Sequence, residues 1–262
     1  MILDPIGIFH CAAKYPYDAA RQGSLAPDKR GTVELHPGHN YEQALQGIEG
    51  FSHLWLLFQF HQNAHWKPLV QPPRGHTKIG VFASRAPYRP NPIGISCVRL
   101  LAVSGRRLDV AGHDLLDATP ILDIKPYLPY ADAFPEATPG WTGPLKGASW
   151  QVLLSEMARE QCGWLREQGL ECLEDFALQQ LSADPLETAR KRVRPRGGDR
   201  WTLAYRTWRI RFTAAHEEKT ILVESIGSGY SPGERDDPDD HYKDKAVHRA
   251  FVARYPTDDE TP

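Results

Sequence analysis

Residues 82–96 read FASRAPYRPNPIGIS, a stretch in which Arg85 and Arg89 are carried among Pro87, Pro90 and Pro92. Proline fixes φ, lacks a backbone donor and pushes the preceding residue toward extended backbone, so this segment reads as a stiff loop with little conformational freedom to lose on binding. Two planar guanidinium forks presented from such a loop suit a carboxylate, a phosphate or an aromatic face. The plainer alternative is a rigid surface turn with solvated arginines. Residues 114–130, DLLDATPILDIKPYLPY, supply a second pole: Asp114, Asp117 and Asp123 sit in an apolar frame where unpaired burial would be costly. An Asx turn closing a hairpin would also satisfy Asp117 and Thr119 locally.

Other chemistries fit less well. His61-Gln62-Asn63-Ala64-His65 has the spacing of a helical zinc motif, but glutamine replaces the required glutamate and Trp66-Lys67-Pro68 follows closely, which disfavours the helix. His36-Pro37-Gly38-His39 reads as a turn, and Ser84 and Ser96 lack the strand-turn-helix context of a nucleophile elbow. Cys11, Cys97, Cys162 and Cys172 contain no C-x-x-C pair, so they read as reduced thiols, and no metal is expected. A net charge of −2 would argue against a nucleic-acid partner, but local distribution overrides the total. Arg190, Lys191, Arg192, Arg194, Arg196, Arg200, Arg206, Arg209 and Arg211 face a single nearby acid, Asp199. Trp201, Tyr205 and Trp208 are interleaved with them, a combination that suits unpaired bases and their backbone. A solvated strand face with a basic loop is the alternative.

The elements that must position these groups read mainly as strands. Residues 5–10 make a short strand, followed by the polar loop KYPYDAARQGSLAPDKRG, whose length favours a functional role. Tyr41, Ala44, Leu45 and Ile48 mark one short amphipathic helix that ends at Gly50. The apolar run at 51–60 predicts a central strand, with others at 79–83, 94–103 and 107–113, the last two joined through Ser104-Gly105-Arg106. Strands with few helices between them predict a closed antiparallel β-barrel, and no G-x-G-x-x-G opens a helix, so a Rossmann-type nucleotide site is not expected. After residue 145 a strand-like start runs into a helix, and residues 201–213 and 219–227 predict a hairpin across AAHEEK. The expected organisation is a barrel over 1–145, a smaller α+β domain over 146–229 and an acidic, flexible tail over 230–262 built around ERDDPDD. A hydrophobic fraction of 41% with 24% charged residues is too polar for membrane spanning, and MILDPIGIFH lacks the features of a secretory signal, so a cytoplasmic location is expected.

Taken with Arg21-Gln22 in AARQG, the segments EGFSHLWLLFQFHQ at 49–62 and IGVFASRAPYRPNPIGIS at 79–96, followed by DLLDATP, resemble the TsaA/TrmO-like family over about the first 145 residues. That resemblance implies a tRNA methyltransferase that uses S-adenosylmethionine to methylate N6 of threonylcarbamoyl-adenosine next to the anticodon, with the cofactor on a β-barrel. It implies cofactor contacts from Ala20 (where the family usually has proline), Arg21, Gln22, His61, Gln62, Arg85, Ile95, Asp117, Ala118, Thr119 and Pro120. Asp117 or His61 would accept the N6 proton. Arg89, Asn91, Lys125, Tyr127, Arg206 and Arg209 are the expected contacts to tRNA. The resemblance also implies a homodimer. In the C-terminal region the family usually carries DPRPAY; here Asp184-Pro185 matches its first two positions, and Leu186-Glu187-Thr188-Ala189 departs from it. That departure motivates the alternative of a non-catalytic RNA-binding barrel that has lost methyl transfer.

Overall fold

The computed structural model describes residues 3–20, 22–72, 77–142, 150–182, 184–188 and 191–256, so Arg21 and Arg190 lie outside the described residues. These residues group into two units, one within Met1–Leu145 and one within Lys146–Pro262. The first unit runs β1 (Gly7–His10), β2 (Arg30–Leu35), α1 (Tyr41–Ala44), β3 (His53–Gln59), β4 (Leu69–Val70), β5 (Ile79–Gly80), β6 (Ile93–Ser104), β7 (Arg107–Ala111), β8 (Thr119–Pro126) and α2 (Pro129–Asp132). Six of these strands close into a barrel in the order β1-β2-β7-β6-β3-β8, with every neighbouring pair antiparallel, while β4 and β5 form a separate ribbon.

Period-two burial explains the barrel. Along β3, Leu54, Leu56 and Phe58 turn inward, and along β6 Gly94, Ser96 and Val98 do so, while Ile93 and Ile95 face outward. The inward residues join Phe9, Val33, Leu108, Val110 and Ile121 in one core. Gly94 pairs with Phe58 across the two strands, and a Cβ at Gly94 would overlap the Phe58 ring; the glycine lets β3 keep a phenylalanine there. Two expected elements are shorter than the sequence indicates. The strand expected at 79–83 is only β5, because the chain turns into a 3-10 helix over Val81–Ala83, and the helix expected over 41–48 is α1 followed by a 3-10 turn at Ile48–Gly50.

The second unit runs β9 (Gln151–Leu154), α3 (Glu156–Glu167), α4 (Leu173–Leu181), β10 (Val193–Gly197), β11 (Arg200–Tyr205), β12 (Trp208–Ala215), β13 (Thr220–Ser228), α5 (Pro232–Asp236) and α6 (Lys245–Arg254). Its sheet has the order β10-β11-β12-β13-β9, with β9 parallel to β13. The single strand expected over 201–213 is instead two, because Arg206 adopts φ 52° and Thr207 completes a tight turn between β11 and β12. Ser155 caps α3 by accepting the Ala158 N–H at 3.0 Å, and Ala158, Gln161, Cys162 and Leu165 form its buried stripe. Burial pushes the Cys162 thiol up to about 12, as expected for an inert core cysteine.

The flexible tail expected from 230 onward is not what residues 230–256 form. Ser231 and Glu234 make a capping box at the start of α5, and α6 places His248, Phe251 and Tyr255 in the core of the second unit. Beside the acidic run, Val247, Phe251 and Tyr255 recur at helical spacing, and burying a phenylalanine contributes about 1.5–3 kcal/mol.

Candidate active site

At the end of the barrel where β3 leaves and β6 begins, a cleft of about 310 Å³ is lined by Ala20, Gln22, Phe58, Phe60, Ser84, Arg85, Pro87, Arg89, Ile93, Gly94, Ile95 and Asp114. That volume is at the lower end of the range for small-molecule sites. Three chain segments converge on it. The first is the long polar loop, which the Asp18 carboxylate folds onto itself by accepting the Lys14 and Tyr15 N–H groups at 3.2 and 3.1 Å. Gly23, just past Gln22, packs against the Gly112 carbonyl so closely that no Cβ would fit, which holds this loop beside the segment leading to Asp114.

The second segment is the proline-rich loop. Arg89 Nη1 donates to the Val81 and Ser84 carbonyls at 3.1 and 2.9 Å, and Ser84 Oγ donates to the Val81 carbonyl at 2.9 Å, so Arg89 braces the loop from inside while also lining the cleft. Arg85 reaches across to the first loop, its Nη1 donating to Gln22 Oε1 at 2.9 Å. The third segment brings Asp114, whose carboxylate accepts a hydrogen bond from Ser96 Oγ on the inward face of β6. Burial raises the Asp114 pKa above the usual aspartate value, against the opposing pull of the Ser96 hydrogen bond and the Arg85 charge. Its neighbour His113 is fully buried, edge-on to Phe9 with centroids 4.7 Å apart, and burial lowers its pKa to about 4.

Of the residues expected to hold a cofactor, Ala20, Gln22, Arg85 and Ile95 come together in this cleft. A second group lies along the first loop. The Asp117 N–H donates to the Ala13 carbonyl at 2.7 Å, Asp117 Oδ1 accepts the Cys11 N–H at 3.1 Å, and Gln62 Nε2 donates to the Lys14 carbonyl at 3.3 Å. His61 is exposed beside Gln62. Ala118 has φ 59°, a left-handed turn held by the Thr119 hydroxyl donating to the Leu116 carbonyl at 2.7 Å, and Pro120 continues into β8.

The residues expected to meet RNA are dispersed. Asn91 is exposed, two residues before the cleft-lining Ile93. Lys125 pairs with Asp123 at 2.8 Å, and the Tyr127 N–H donates to the His53 carbonyl, which puts both at the opposite end of β3 from Phe58. Arg206 and Arg209 belong to the second unit, where Arg209 Nη1 donates to the Trp208 carbonyl at 3.1 Å. The expected stacking surface of Trp201, Tyr205 and Trp208 is overturned. Tyr205 and Trp208 are core residues and Trp201 packs against that core, because strand alternation sends the aromatics to the helix-covered face. Arg194, Thr202 and Arg211 are in register, as are Ala204 and Arg209, so the arginines occupy the opposite face. Burial and then the charges of Arg194 and Arg192 lower the Arg209 pKa, a sign that these guanidinium groups are clustered.

The sequence placed Asp114 in the second pole of the site without giving it an individual contact, and it missed Phe58, Phe60 and Gly94 as lining residues. The apolar residues were visible only as strand core, and the pairing of Ser96 with Asp114 links positions that no local pattern connects. Among the described residues, no group of His, Cys, Asp and Glu could hold a metal ion, and no helix is long and apolar enough to cross a membrane.

A closed antiparallel barrel with a ligand-sized, arginine- and aspartate-bearing cleft, followed by a separate α+β unit, defines a small-molecule-binding barrel of the non-Rossmann kind. Residues 8–133 match the model of the tRNA-methyltransferase O N-terminal domain. The chain belongs to the TrmO family, being 37% identical over 196 residues to the tRNA (adenine(37)-N6)-methyltransferase of Escherichia coli, with 72% of this chain and 83% of the relative covered. A Pseudomonas aeruginosa relative that bears the name of an S-adenosylmethionine-dependent methyltransferase is 44% identical over 190 residues, 70% of this chain and 80% of that one. The crystal structure of TrmO from Pseudomonas aeruginosa covers 87% of this chain and 99% of its own, at 35% identity and a TM-score of 0.62.

Proposed function

We propose that the chain transfers a methyl group from S-adenosylmethionine to N6 of threonylcarbamoyladenosine next to the anticodon of tRNA, and that it does so in the cytoplasm. The observation that supports this most is the cleft itself: in a chain so similar to a tRNA adenine-N6 methyltransferase, residues from three distant segments meet at one barrel end. The cleft fits the cofactor chemically. Phe58, Phe60 and Ile95 offer apolar surface for the adenine and ribose, the Arg85 fork suits the carboxylate, and backbone carbonyls of the lining segments suit a positive centre. The bound cofactor supplies an electrophilic methyl group on a sulfonium.

The chain's own residues bind, orient and exclude water. The Arg85–Gln22 bond clasps the first loop to the proline-rich loop, and Gln62 with the turn from Asp117 through Ala118, Thr119 and Pro120 extends the site along the first loop. Such positioning supplies much of the rate, because an in-line approach replaces a bimolecular encounter. Arg89 and Asn91 face the incoming nucleotide, and the arginines of the second unit hold tRNA phosphates. Named methyltransferase relatives support this reading over a barrel that has lost methyl transfer. Exposed apolar side chains on the first unit, Phe82 at 75%, Tyr130 at 86% and Phe134 at 73%, support a homodimer.

Calorimetric titration with S-adenosylmethionine, followed by a methyl-transfer assay on tRNA with and without the threonylcarbamoyl group, tests the proposal. Arg85→Ala is expected to weaken cofactor binding by about 10- to 100-fold, since a hydrogen bond to a charged group is worth about 1.5–3 kcal/mol. An unaltered protein that neither binds the cofactor nor methylates the modified tRNA would overturn it.

A further inference from the structure

We infer that Asp114, held by Ser96, is the base that accepts the N6 proton during methyl transfer. The inference rests on the methyl-transfer reading above. Among the described residues, Asp114 is the one carboxylate lining the cleft, and it stands with Arg85, Arg89, Ser84 and Gln22. Asp117, three residues on, is committed elsewhere: its Oδ1 accepts the Cys11 N–H and lies 3.8 Å from His10 Nδ1.

The Ser96 hydroxyl reaches Asp114 from inside the barrel and fixes one carboxylate oxygen, Oδ1, while Asp114 lines the cleft. A carboxylate immobilised in this way on two neighbouring elements is a preorganised acceptor, needing no rotamer search at the moment of reaction. The charged groups facing it are Arg85 and Arg89 from the proline-rich loop; Gln22 from the first loop is neutral, as is His113 beside it above about pH 4. The proton balance is complete with the groups named. N6 forms a bond to the methyl carbon as the carbon–sulfur bond breaks, its electron pair remaining on sulfur. The N6 proton passes to the Asp114 carboxylate, which becomes a neutral acid and returns its proton to solvent. A carbamoylated N6 is more acidic than a plain amine, so a carboxylate suffices, and the raised affinity of Asp114 for protons brings it closer to the pH at which it must work.

The test combines three measurements on the full chain. Asp114→Asn is expected to bind S-adenosylmethionine within about threefold of the unaltered protein, and to lower kcat on threonylcarbamoylated tRNA by about 100-fold or more. Ser96→Ala removes a bond that favours the ionised carboxyl, so the acidic limb of its pH–rate profile moves to higher pH; Asp114→Glu, longer by one methylene, regains part of the rate lost in Asp114→Asn. Carbon-13 NMR of the unaltered protein without cofactor provides a readout that does not depend on turnover: Asp114 titrates above ordinary aspartates, and higher still in Ser96→Ala. Cofactor affinity falling as far as kcat in Asp114→Asn would make Asp114 a cofactor contact and overturn the inference, as would an unshifted acidic limb in Ser96→Ala. Full activity in Asp114→Asn would remove Asp114 alone, whereas an unaltered protein with neither binding nor transfer removes the methyl-transfer reading and this inference together.

Discussion

Gly94→Ala tests the geometry of the cleft floor with a single methyl group. The added Cβ would overlap three carbons of the Phe58 ring, which is 5% exposed and has Phe60 edge-on at 5.2 Å, so the ring must press into the core or swing into the cleft it lines. Overpacking of this kind costs about 1–3 kcal/mol. For a unit of roughly this size, 1 kcal/mol moves the melting temperature by about 2–4 °C, so the barrel transition should fall by about 2–12 °C. Because Phe58 and Gly94 both line the cleft, S-adenosylmethionine affinity should fall as well. Phe58→Leu provides the check: alone it leaves a cavity, but combined with Gly94→Ala it makes room for the methyl group. The double variant should be about as stable as Phe58→Leu alone, a coupling of at least about 1 kcal/mol in a double-mutant cycle. Calorimetric melting and cofactor titration of the four proteins measure both effects. Strictly additive losses, or a Gly94→Ala protein with unchanged melting and binding, would refute the packing of Gly94 against Phe58.

Two further predictions concern charge. His113 and His248 are both fully buried, and burial lowers each to about 4 from 6.5. The unfolded chain takes up protons that the folded chain refuses, so stability is complete above about pH 6.5 and falls as pH drops toward 4, by about 3 kcal/mol for each histidine at about 1.36 kcal/mol per pKa unit. Urea midpoints at pH 7, 5 and 4 measure this; a flat profile refutes it, and His248→Gln should flatten the profile of the second unit. On the sheet face of that unit, replacing Arg192 and Arg194 together by alanine should reduce the slope of log affinity for tRNA against log salt by about 0.7–0.9 for each phosphate that is no longer neutralised. An unchanged slope in a filter-binding titration would show that this face is merely solvated.

The barrel was legible because its strands carry local signals strong enough to stand alone. The apolar run at 51–60 became β3, and Ser104-Gly105-Arg106 did mark the turn between β6 and β7. β2 passed unread because RGTVEL alternates Val33 and Leu35 with charged and polar neighbours over only six residues, a signal too short to separate from the polar loop before it. The same limit applies to α6, whose few apolar residues stand beside an acidic run that reads as solvated. In each case a short amphipathic element depends on a partner surface that sequence does not display.

The basic segment shows where sequence reading fails for a physical reason. Arginines and aromatics interleaved in one dimension look like a single mixed surface, yet a strand separates odd from even positions onto opposite faces. Ile210 and Phe212 go inward with Trp208, and Arg209 and Arg211 go outward, so the chain cannot stack bases on these rings and grip phosphates with those arginines in one place. The cleft follows the opposite logic. Ser96 is one of the few polar residues turned into the barrel, and a buried hydroxyl needs a partner. Asp114 is that partner, and meeting it costs the fold a carboxylate held away from water. A polar pair beside a ligand-sized cleft, where an apolar pair of similar volume would hold β6 to its neighbour at no desolvation cost, is what the proposed role of Asp114 as proton acceptor calls for.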